Sequence, residues 1–213
     1  MDILIITRFC IELPYVYRKK MDYSNIKKIL FQLSLLEKFT LPSILFQTNN
    51  EFKWIILIDK RLPFVVKKKI EYLSEKYNQL YFKYHNNDDI SNLSYYNEFL
   101  NNKNKYIITV RLDADDALIY NYIDILKKFA IRSLYKLDIG AICFNRGLTL
   151  TVESSNKFHL RPTTMSSHGL GIALFAKKSI FNKNIYFTAH NEINENLKKL
   201  GKINIFEIGR AHV

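Results

Sequence analysis

Hydrophobic positions follow two alternating patterns over the first part of the chain. Short apolar runs, rich in β-branched residues, have the length of buried strands and occur at residues 2–7, 53–58 and 106–110, and residues 80–84 alternate as in a further strand. Between these runs, apolar residues recur every three or four positions, as on the buried face of a helix. This order predicts β-α-β-α-β-α-β with short connections, which is typical of an α/β protein with a parallel, doubly wound sheet.

Capping residues and spacing predict where the helices begin and end. We predict one helix capped by Ser24 and a second capped by Thr40. Further helices are predicted at residues 62–77, 91–100, 119–134 and 191–200, and a further strand at 138–145. The pattern weakens between residues 146 and 175, where only short extended pieces are indicated. Since no repeat or low-complexity linker interrupts the chain, a single domain is predicted.

The strand predicted at residues 106–110 is followed at once by acidic residues. Asp113, Asp115 and Asp116 lie just past its carboxyl end, where open α/β sheets bind their ligands. Three carboxylates so close repel one another unless a cation neutralises them. Mg²⁺ or Mn²⁺ suits such a site, because both take oxygen ligands and leave positions for substrate phosphates. The alternative is that the aspartates cap a helix that begins near Ile119.

Composition and charge narrow the classes of function. The chain has 213 residues, of which 48% are hydrophobic, and this excludes a disordered protein. Its net charge of +12 suggests a polyanionic partner, such as nucleic acid, an anionic membrane surface or a phosphorylated ligand. The lysines are scattered, with one run at residues 67–69, which favours a solvated surface over a nucleic-acid footprint.

Cysteine content and the length of the apolar runs predict the cellular compartment of the protein. The chain has two cysteines, and no Cys/His spacing fits a zinc site, so a reducing cytosol is expected. The apolar runs are too short to span a bilayer, and the N-terminus lacks the basic flank of a signal peptide. We therefore expect a cytoplasmic protein, with peripheral contact to the anionic inner face of the membrane as a further expectation.

The last six residues have a recognisable origin. Residues 208–213, IGRAHV, can be encoded by ATC GGA AGA GCA CAC GTC, the start of a common sequencing-library adapter that continues with the stop codon TGA. We therefore expect residues 208–213 to be an adapter scar and residues 1–207 to form one domain that is truncated at its C-terminus. His212 is accordingly set aside as a metal ligand.

Four segments resemble the GT-A glycosyltransferases of the family 2 type, and most closely the rhamnosyltransferase family. They are TRF at residues 7–9, LPSILFQT at 41–48, EFKWIILID at 51–59 and RLDADDAL at 111–118. The resemblance implies the GT-A fold, in which a Rossmann-like, mainly parallel sheet is flanked by helices. It also implies a nucleotide-sugar donor.

The same resemblance assigns a D-x-D motif to the acidic segment. Asp113 and Asp115 are the implied metal residues for Mn²⁺ or Mg²⁺, and Asp113 also approaches the ribose. Asp59, after the second strand, matches the position that contacts the base. The DDGS sequence that usually follows is absent, because Asp59 is followed by Lys60 and Arg61.

Three further residues complete the predicted nucleotide-sugar site. Thr7 and Arg8 belong to the TRF segment, and Arg8 is expected to meet the base or the diphosphate. Arg111 is either a diphosphate partner or a strand-end arginine paired with Asp113.

The catalytic base is predicted near residues 188–197, TAHNEINENL, where family 2 enzymes place an acidic motif at the start of a late helix. Glu192 is the first candidate and His190 the second. The alternative is that Glu192 is a first-turn helix acid and His190 a cap. His168 either lines the acceptor side or lies in a plain loop.

These observations lead to one main hypothesis and two alternatives. The main hypothesis is a metal-dependent, inverting glycosyltransferase that moves a sugar, rhamnose being one candidate, from a nucleotide-sugar donor to a surface glycan or lipopolysaccharide. The first alternative is a basic nucleic-acid-binding protein, although nucleic acid is not the expected partner. The second is an inactive glycosyltransferase fragment.

Overall fold

The computed structural model describes residues 1–12, 21–85, 89–152, 158–164, 171–188, 192–199 and 205–208. Its strands are β1 (Asp2–Phe9), β2 (Lys53–Asp59), β3 (Leu80–His85), β4 (Tyr106–Arg111), β5 (Ile139–Phe144), β6 (Arg146–Val152), β7 (Phe158–Thr164), β8 (Ala173–Lys177) and β9 (Ile205–Ile208). Its α-helices are α1 (Ile26–Leu35), α2 (Leu41–Leu45), α3 (Phe64–Lys76), α4 (Tyr122–Leu134) and α5 (Ile193–Lys199). A π-helical turn, Leu36–Thr40, joins α1 to α2, and 3₁₀ helices occupy Leu93–Phe99 and Ile185–Phe187.

Seven strands form one mixed, mainly parallel sheet in the order β3-β2-β1-β4-β8-β5-β9. β1, β2, β3 and β4 are mutually parallel, and β5 is parallel to β9. β8 lies between β4 and β5 and is antiparallel to both. The predicted α/β class with a mainly parallel sheet is confirmed.

The central strands are buried on both faces, which explains their nearly continuous apolar sequence. Along β1, Ile3 and Ile5 belong to one core cluster, whereas Leu4 and Ile6 belong to the other. The first cluster lies beneath α1, α3 and α4. The second includes the first 3₁₀ helix and the start of α5. The sheet is therefore covered by helices on both sides.

Two predicted helix caps are corrected by the structure. The side chain of Asn25, not Ser24, caps α1 and accepts a hydrogen bond from the backbone N–H of Lys28 at 3.1 Å. Ser24 instead donates to Asp22. Thr40 has helical dihedral angles and forms no side-chain cap, because the chain passes from α1 to α2 without leaving helical geometry. Its hydroxyl instead donates a hydrogen bond to the carbonyl of Ala114.

Two other predicted helices differ in kind or extent. The segment predicted as a helix at residues 91–100 is the 3₁₀ helix Leu93–Phe99. The side chain of Asn92 caps its N-terminus. The helix after the acidic segment begins at Tyr122, with Asn121 at its cap position. The aspartates therefore do not cap this helix, and that alternative is wrong.

The region that the pattern left unclear contains three strands. β6 and β7 pair as an antiparallel hairpin outside the main sheet, and β8 returns to the centre of the sheet. β9, which was not predicted, lies at the sheet edge, where Ile208 pairs with Phe144. Residues 209–213 lie outside the described residues, so the adapter origin of residues 208–213 stays a prediction.

Candidate active site

Three neighbouring parallel strands end at the same edge of the sheet, and the chain order reverses there. β1 pairs with β2 on one side and with β4 on the other. Open α/β sheets bind ligands at such a switch point, outside the carboxyl ends of the strands. Arg8, Asp59, Arg111 and Asp113 all lie at or just past these three strand ends. The fold thus brings together candidates that are far apart in the sequence.

Asp113 lies between two arginines. Nη2 of Arg111 donates to Oδ2 of Asp113 at 3.1 Å, and Nη2 of Arg8 lies 3.9 Å from Oδ1. Burial by itself would lower the pKa of Arg111, but the neighbouring acidic groups, foremost the charge of Asp113 and its hydrogen bond, together outweigh burial and raise that pKa. Arg111 is therefore the strand-end partner of Asp113, as one sequence alternative stated. Two guanidinium groups thus meet one carboxylate at this edge, and guanidinium groups are suited to binding an anion such as a diphosphate.

Tyr186 is a member of this cluster that the sequence analysis missed. The guanidinium carbon of Arg8 lies 4.9 Å from the centre of its ring, and that of Arg111 lies 5.7 Å away. The phenol hydroxyl donates to the carbonyl of Ile6 at 3.0 Å. Burial raises the pKa of Tyr186 to about 12, so the phenol is neutral and supplies a cation–π surface for the arginines. No sequence motif marks Tyr186.

Its position is set by the short 3₁₀ helix Ile185–Phe187. The Asn184 side chain caps this turn by accepting from the backbone N–H of Tyr186 at 2.8 Å. The backbone N–H of Ile185 donates to the Thr109 hydroxyl in β4 at 3.0 Å. The threonine within the otherwise apolar β4 thus holds the turn against the sheet.

The acidic loop after β4 carries a surplus of negative charge. Asp115 is exposed, and the Asp113 side chain is 38% exposed. Burial and the neighbouring charges of Asp113 and Asp115 raise the pKa of Asp116 to about 7. A cation would relieve this repulsion, and hard carboxylate oxygens are what Mg²⁺ and Mn²⁺ bind.

The carboxylates do not form a closed metal cage. Within the described residues, no group of three or more His, Cys, Asp or Glu side chains is arranged to hold a metal ion. The donor set fits an open site, in which Asp113 and Asp115 supply protein oxygens and a bound substrate supplies others.

The LPSILFQT segment holds this acidic loop in place. The Thr40 hydroxyl donates to the carbonyl of Ala114 at 2.9 Å, across the first core cluster. The Gln47 side-chain amide donates to the carbonyl of Ile119 at 2.7 Å and accepts from the backbone N–H of Ile123 at 3.2 Å. This segment, which resembles the family, therefore supports the acidic loop after β4.

Asp59 lies at the end of β2 and is buried. It accepts hydrogen bonds from Arg61 and from the Tyr23 hydroxyl. Burial by itself would raise the pKa of Asp59, but these bonds outweigh burial and lower it to about 2. Asp59 is therefore ionised, and Arg61 and Tyr23 are two further residues of this edge that the sequence did not single out as ligand-binding.

Thr7 occupies a different environment from its neighbours. It is fully buried, and its hydroxyl accepts a hydrogen bond from the Trp54 indole N–H at 2.9 Å. Its side chain is therefore committed to the β1–β2 core, and we keep for Thr7 only a role in positioning the end of β1.

Of the two candidate bases, the structure describes one. Glu192 is exposed and directly precedes α5, where its carbonyl accepts from the backbone N–H of Asn196 at 2.9 Å. The adjacent Ile193 is fully buried in the second core cluster, the cluster that also contains Ile185, the neighbour of Tyr186. This places the start of α5 on the sheet face that carries Tyr186. His190 and His168 lie outside the described residues.

Comparisons with solved structures give low sequence identities and modest overlap. S. aureus TarS 1–349 in complex with UDP has a TM-score of 0.48 and 11% identity, covering 97% of this chain and 58% of that chain. HddC from Yersinia pseudotuberculosis has a TM-score of 0.44 and 16% identity, with coverage of 97% and 90%. 4-Diphosphocytidyl-2C-methyl-D-erythritol synthase from Anaerococcus prevotii has a TM-score of 0.43 and 14% identity, with coverage of 100% and 89%. Curated proteins show no significant match.

The family comparison is more decisive. Residues 17–204 match the family described as "Putative rhamnosyl transferase". The match covers most of the chain, including β2, the D-x-D loop, Tyr186 and Glu192. This confirms the predicted resemblance to the rhamnosyltransferase family, and with it a glycosyltransferase. This chain belongs to the rhamnosyl transferase family.

Proposed function

We propose that this protein transfers a sugar, rhamnose by the family's name, from a nucleotide-sugar donor to a hydroxyl of a surface glycan or lipopolysaccharide, with inversion at the anomeric carbon. The observation that carries the proposal is the cluster of Arg8, Asp113, Arg111 and Tyr186 beside the exposed Asp115, at the switch point between β1 and β4. The family match supports the same class of reaction.

The arginines supply the charge that a leaving diphosphate requires. Arg8 and Arg111 both contact Asp113 and both lie near the ring of Tyr186, so little reorganisation is needed when an anion arrives. Asp113 and Asp115 are the residues that would hold Mn²⁺ or Mg²⁺, which would supply further neutralisation of the diphosphate when bound. Asp113 thus has two roles, since it also orients Arg111.

The acceptor must lose a proton as it attacks. In an inverting displacement the acceptor oxygen forms a bond to the anomeric carbon while the bond to the diphosphate oxygen breaks, and the electron pair leaves with the diphosphate. The hydroxyl proton passes to a base on the opposite side of the sugar. We assign this role to Glu192, with His190 as the second candidate. The exposure of Glu192 at the start of α5 leaves its carboxylate accessible to an acceptor.

A thermal-shift screen tests the proposal. The protein is heated with nucleotide sugars that differ in base and sugar, each with and without Mn²⁺. A ligand that binds the native state raises the melting temperature. We expect at least one nucleotide sugar to raise it in the presence of Mn²⁺. No shift with any of them, together with salt-sensitive DNA binding, would contradict the proposal and favour the nucleic-acid alternative.

We further propose that the protein contacts an anionic membrane surface through an exposed face of α1 and α3. This α1–α3 face consists of six exposed apolar residues: Ile26, Leu30, Phe31, Phe64, Val65 and Tyr72. Both helices also carry exposed or half-buried lysines, at residues 27, 28, 67, 68, 69 and 76. Exposed aromatic residues among lysines are typical of helices that lie in a lipid interface. No helix in the described residues is suited to crossing a membrane, so the proposed contact is peripheral.

A further inference from the structure

The Asp59 carboxylate has a donor at each of its acceptor positions. Oδ1 accepts from the backbone N–H of Arg61 at 2.8 Å and from its Nε at 3.0 Å. Oδ2 accepts from Nη2 of Arg61 at 2.7 Å and from the Tyr23 hydroxyl at 2.8 Å. An ionised carboxylate offers about four lone-pair positions, and all four are used here. A nucleobase N–H could bond to Asp59 only by displacing one of these donors.

Arg61 is held firmly although its side chain is 54% exposed. Besides Asp59, Nη2 of Arg61 lies 2.9 Å from Oε2 of Glu12 and 3.2 Å from the Tyr23 hydroxyl oxygen, so its two N–H groups are shared among three acceptors. Its guanidinium carbon lies 4.3 Å from the centre of the Tyr23 ring. Burial and the hydrogen bond to Asp59 raise the pKa of Tyr23, so the phenol keeps its proton. A solvent-facing arginine with this many partners is pre-organised, and binding to it loses little side-chain entropy.

One part of this guanidinium has no protein partner. Within the described residues, every hydrogen bond of the Arg61 side chain uses Nε or Nη2, and the N–H donors of Nη1 remain available. The Nε and Nη2 side of Arg61 is committed to protein partners, so the part that can meet a base is Nη1, whose N–H donors suit a carbonyl oxygen on the base edge. Uracil, thymine and guanine present such oxygens, whereas adenine presents an exocyclic amine that opposes a donor.

We infer that the stacked pair of Arg61 and Tyr23 is the nucleobase platform of this enzyme, and that Asp59 and Glu12 are positioning residues that hold Arg61. The inference rests on the proposed function, since it assumes a nucleotide donor with its base near the end of β2. It differs from direct recognition of the base by the Asp59 carboxylate. It also gives a physical role to Arg61, which follows Asp59 at the place where the DDGS sequence is absent.

The test compares the affinities of UDP, dTDP, GDP and ADP in the presence of Mn²⁺ for wild type and variants, by titration calorimetry. Arg61→Gln should weaken binding of the best carbonyl-bearing nucleotide by roughly tenfold or more, the scale of a hydrogen bond to a charged group, and reduce the preference over ADP. Lys60→Gln, the adjacent exposed charge, is the matched control and should leave affinity and preference unchanged. Melting temperatures without ligand check that each variant folds.

Asp59→Asn distinguishes positioning from direct contact. If Asp59 positions Arg61, Asp59→Asn and Arg61→Gln should change the base preference in the same direction, and the double variant should add little to either. Full base preference in Arg61→Gln, with loss only in Asp59→Asn, would overturn the inference and restore direct contact by Asp59. If wild-type protein binds none of the four nucleotides, the proposed function itself fails along with the platform.

Discussion

Asp113 shows how a single carboxylate can serve two partners. Its hydrogen bond from Arg111 fixes the arginine at the end of β4. Because the Asp113 side chain is partly exposed, its carboxylate also remains accessible to a ligand at this edge of the sheet. Asp115, two residues later, has the greater exposure and is a simpler probe of the cation, because removing its charge leaves the arginine cluster intact.

Asp115→Asn should abolish metal-dependent binding of a nucleoside diphosphate while leaving the fold unchanged. The substitution keeps the size of the side chain and removes one charge from an exposed position, so the melting temperature without ligand should hardly move. Titration of the nucleotide with and without Mn²⁺ measures the effect, with Asp138→Asn as a control at an acidic position before β5. If Asp115→Asn bound metal as tightly as wild type does, Asp115 could not be the residue that holds the metal ion.

Glu192→Gln should separate catalysis from donor binding. A general base acts on the acceptor, so donor and metal affinity should stay nearly unchanged while transfer falls by roughly a hundredfold or more. Transfer is measured with a labelled donor, chosen from the thermal-shift screen, and a cell-envelope extract as acceptor. His190→Gln is the comparison. Loss of transfer in His190→Gln but not in Glu192→Gln would exchange the two roles, and full activity in both would place the base elsewhere.

The lowered pKa of Asp59 predicts a pH dependence of stability. Its folded pKa is about 2, below the ordinary value of 3.8, because the bonds from Arg61 and Tyr23 outweigh burial. The stabilisation is therefore fully present above pH about 4 and is lost as pH falls through the folded pKa. Melting temperatures of wild type and Asp59→Asn should differ most near neutral pH and converge toward pH about 2. A difference that stays constant with pH would contradict this account.

At the scale of elements, the site depends on how α2 supports the loop after β4. The Thr40 hydroxyl, fully buried, is the link between the helical segment and the carbonyl of Ala114 inside the D-x-D motif. The continuous helical path from α1 through the π turn to α2 is what aims this hydroxyl inward, in place of the helix cap that the sequence pattern predicted.

Thr40→Val should destabilise the protein by about 1 kcal/mol and weaken metal-dependent nucleotide binding. Valine keeps the shape of threonine but leaves the carbonyl of Ala114 without this donor. Urea unfolding measures the first effect and calorimetric titration the second. Ser43→Ala, which removes a hydroxyl that donates to the carbonyl of Thr40 on the same helical segment, is the control and should leave nucleotide binding unchanged. Equal effects of the two variants on nucleotide binding would contradict a specific role for Thr40.

At the scale of the whole molecule, the net charge of +12 and the exposed apolar side chains have to be explained together. Lysine alone would account for solubility, and scattered exposed apolar residues are common on any surface. Their combination on two adjoining helices is what favours an anionic lipid surface. α3 begins shortly after the end of β2, and Tyr23, just before α1, bonds to Asp59 at that same end, so both helices begin near the edge that carries the candidate site.

Flotation with vesicles tests the α1–α3 face. Wild-type protein should float with vesicles that contain anionic phospholipid, and less so with neutral vesicles or at high salt. Replacing both Phe31 and Phe64 by serine should release the protein from the vesicles, because these are the two exposed phenylalanines of that face. Tyr135→Ser, at an 86% exposed aromatic residue just after α4, is the matched control. Equal binding of wild type and the double variant would exclude this face, and binding to neither vesicle would exclude the membrane contact.

The strand and helix order of the first half, and the family, could be predicted from the amino-acid sequence. The reason is that strands buried on both faces must be apolar throughout, so β1, β2 and β4 were visible without knowledge of their neighbours. The acidic segment after β4 was equally visible, since three aspartates within four residues repel one another and directly follow a buried strand. The parallel order then placed Arg8, Asp59 and Asp113 at one edge before any coordinate was known.

The side chains that complete that edge are brought there by long-range contacts of the fold. Tyr186 reaches the arginines because Thr109 and Asn184 hold its turn against β4, and neither contact has a local signature in the sequence. Arg61 and Tyr23 meet at Asp59 through contacts between a loop after β1 and the end of β2. Hydrogen bonds between residues far apart in the chain depend on three-dimensional register, which spacing along the sequence does not encode.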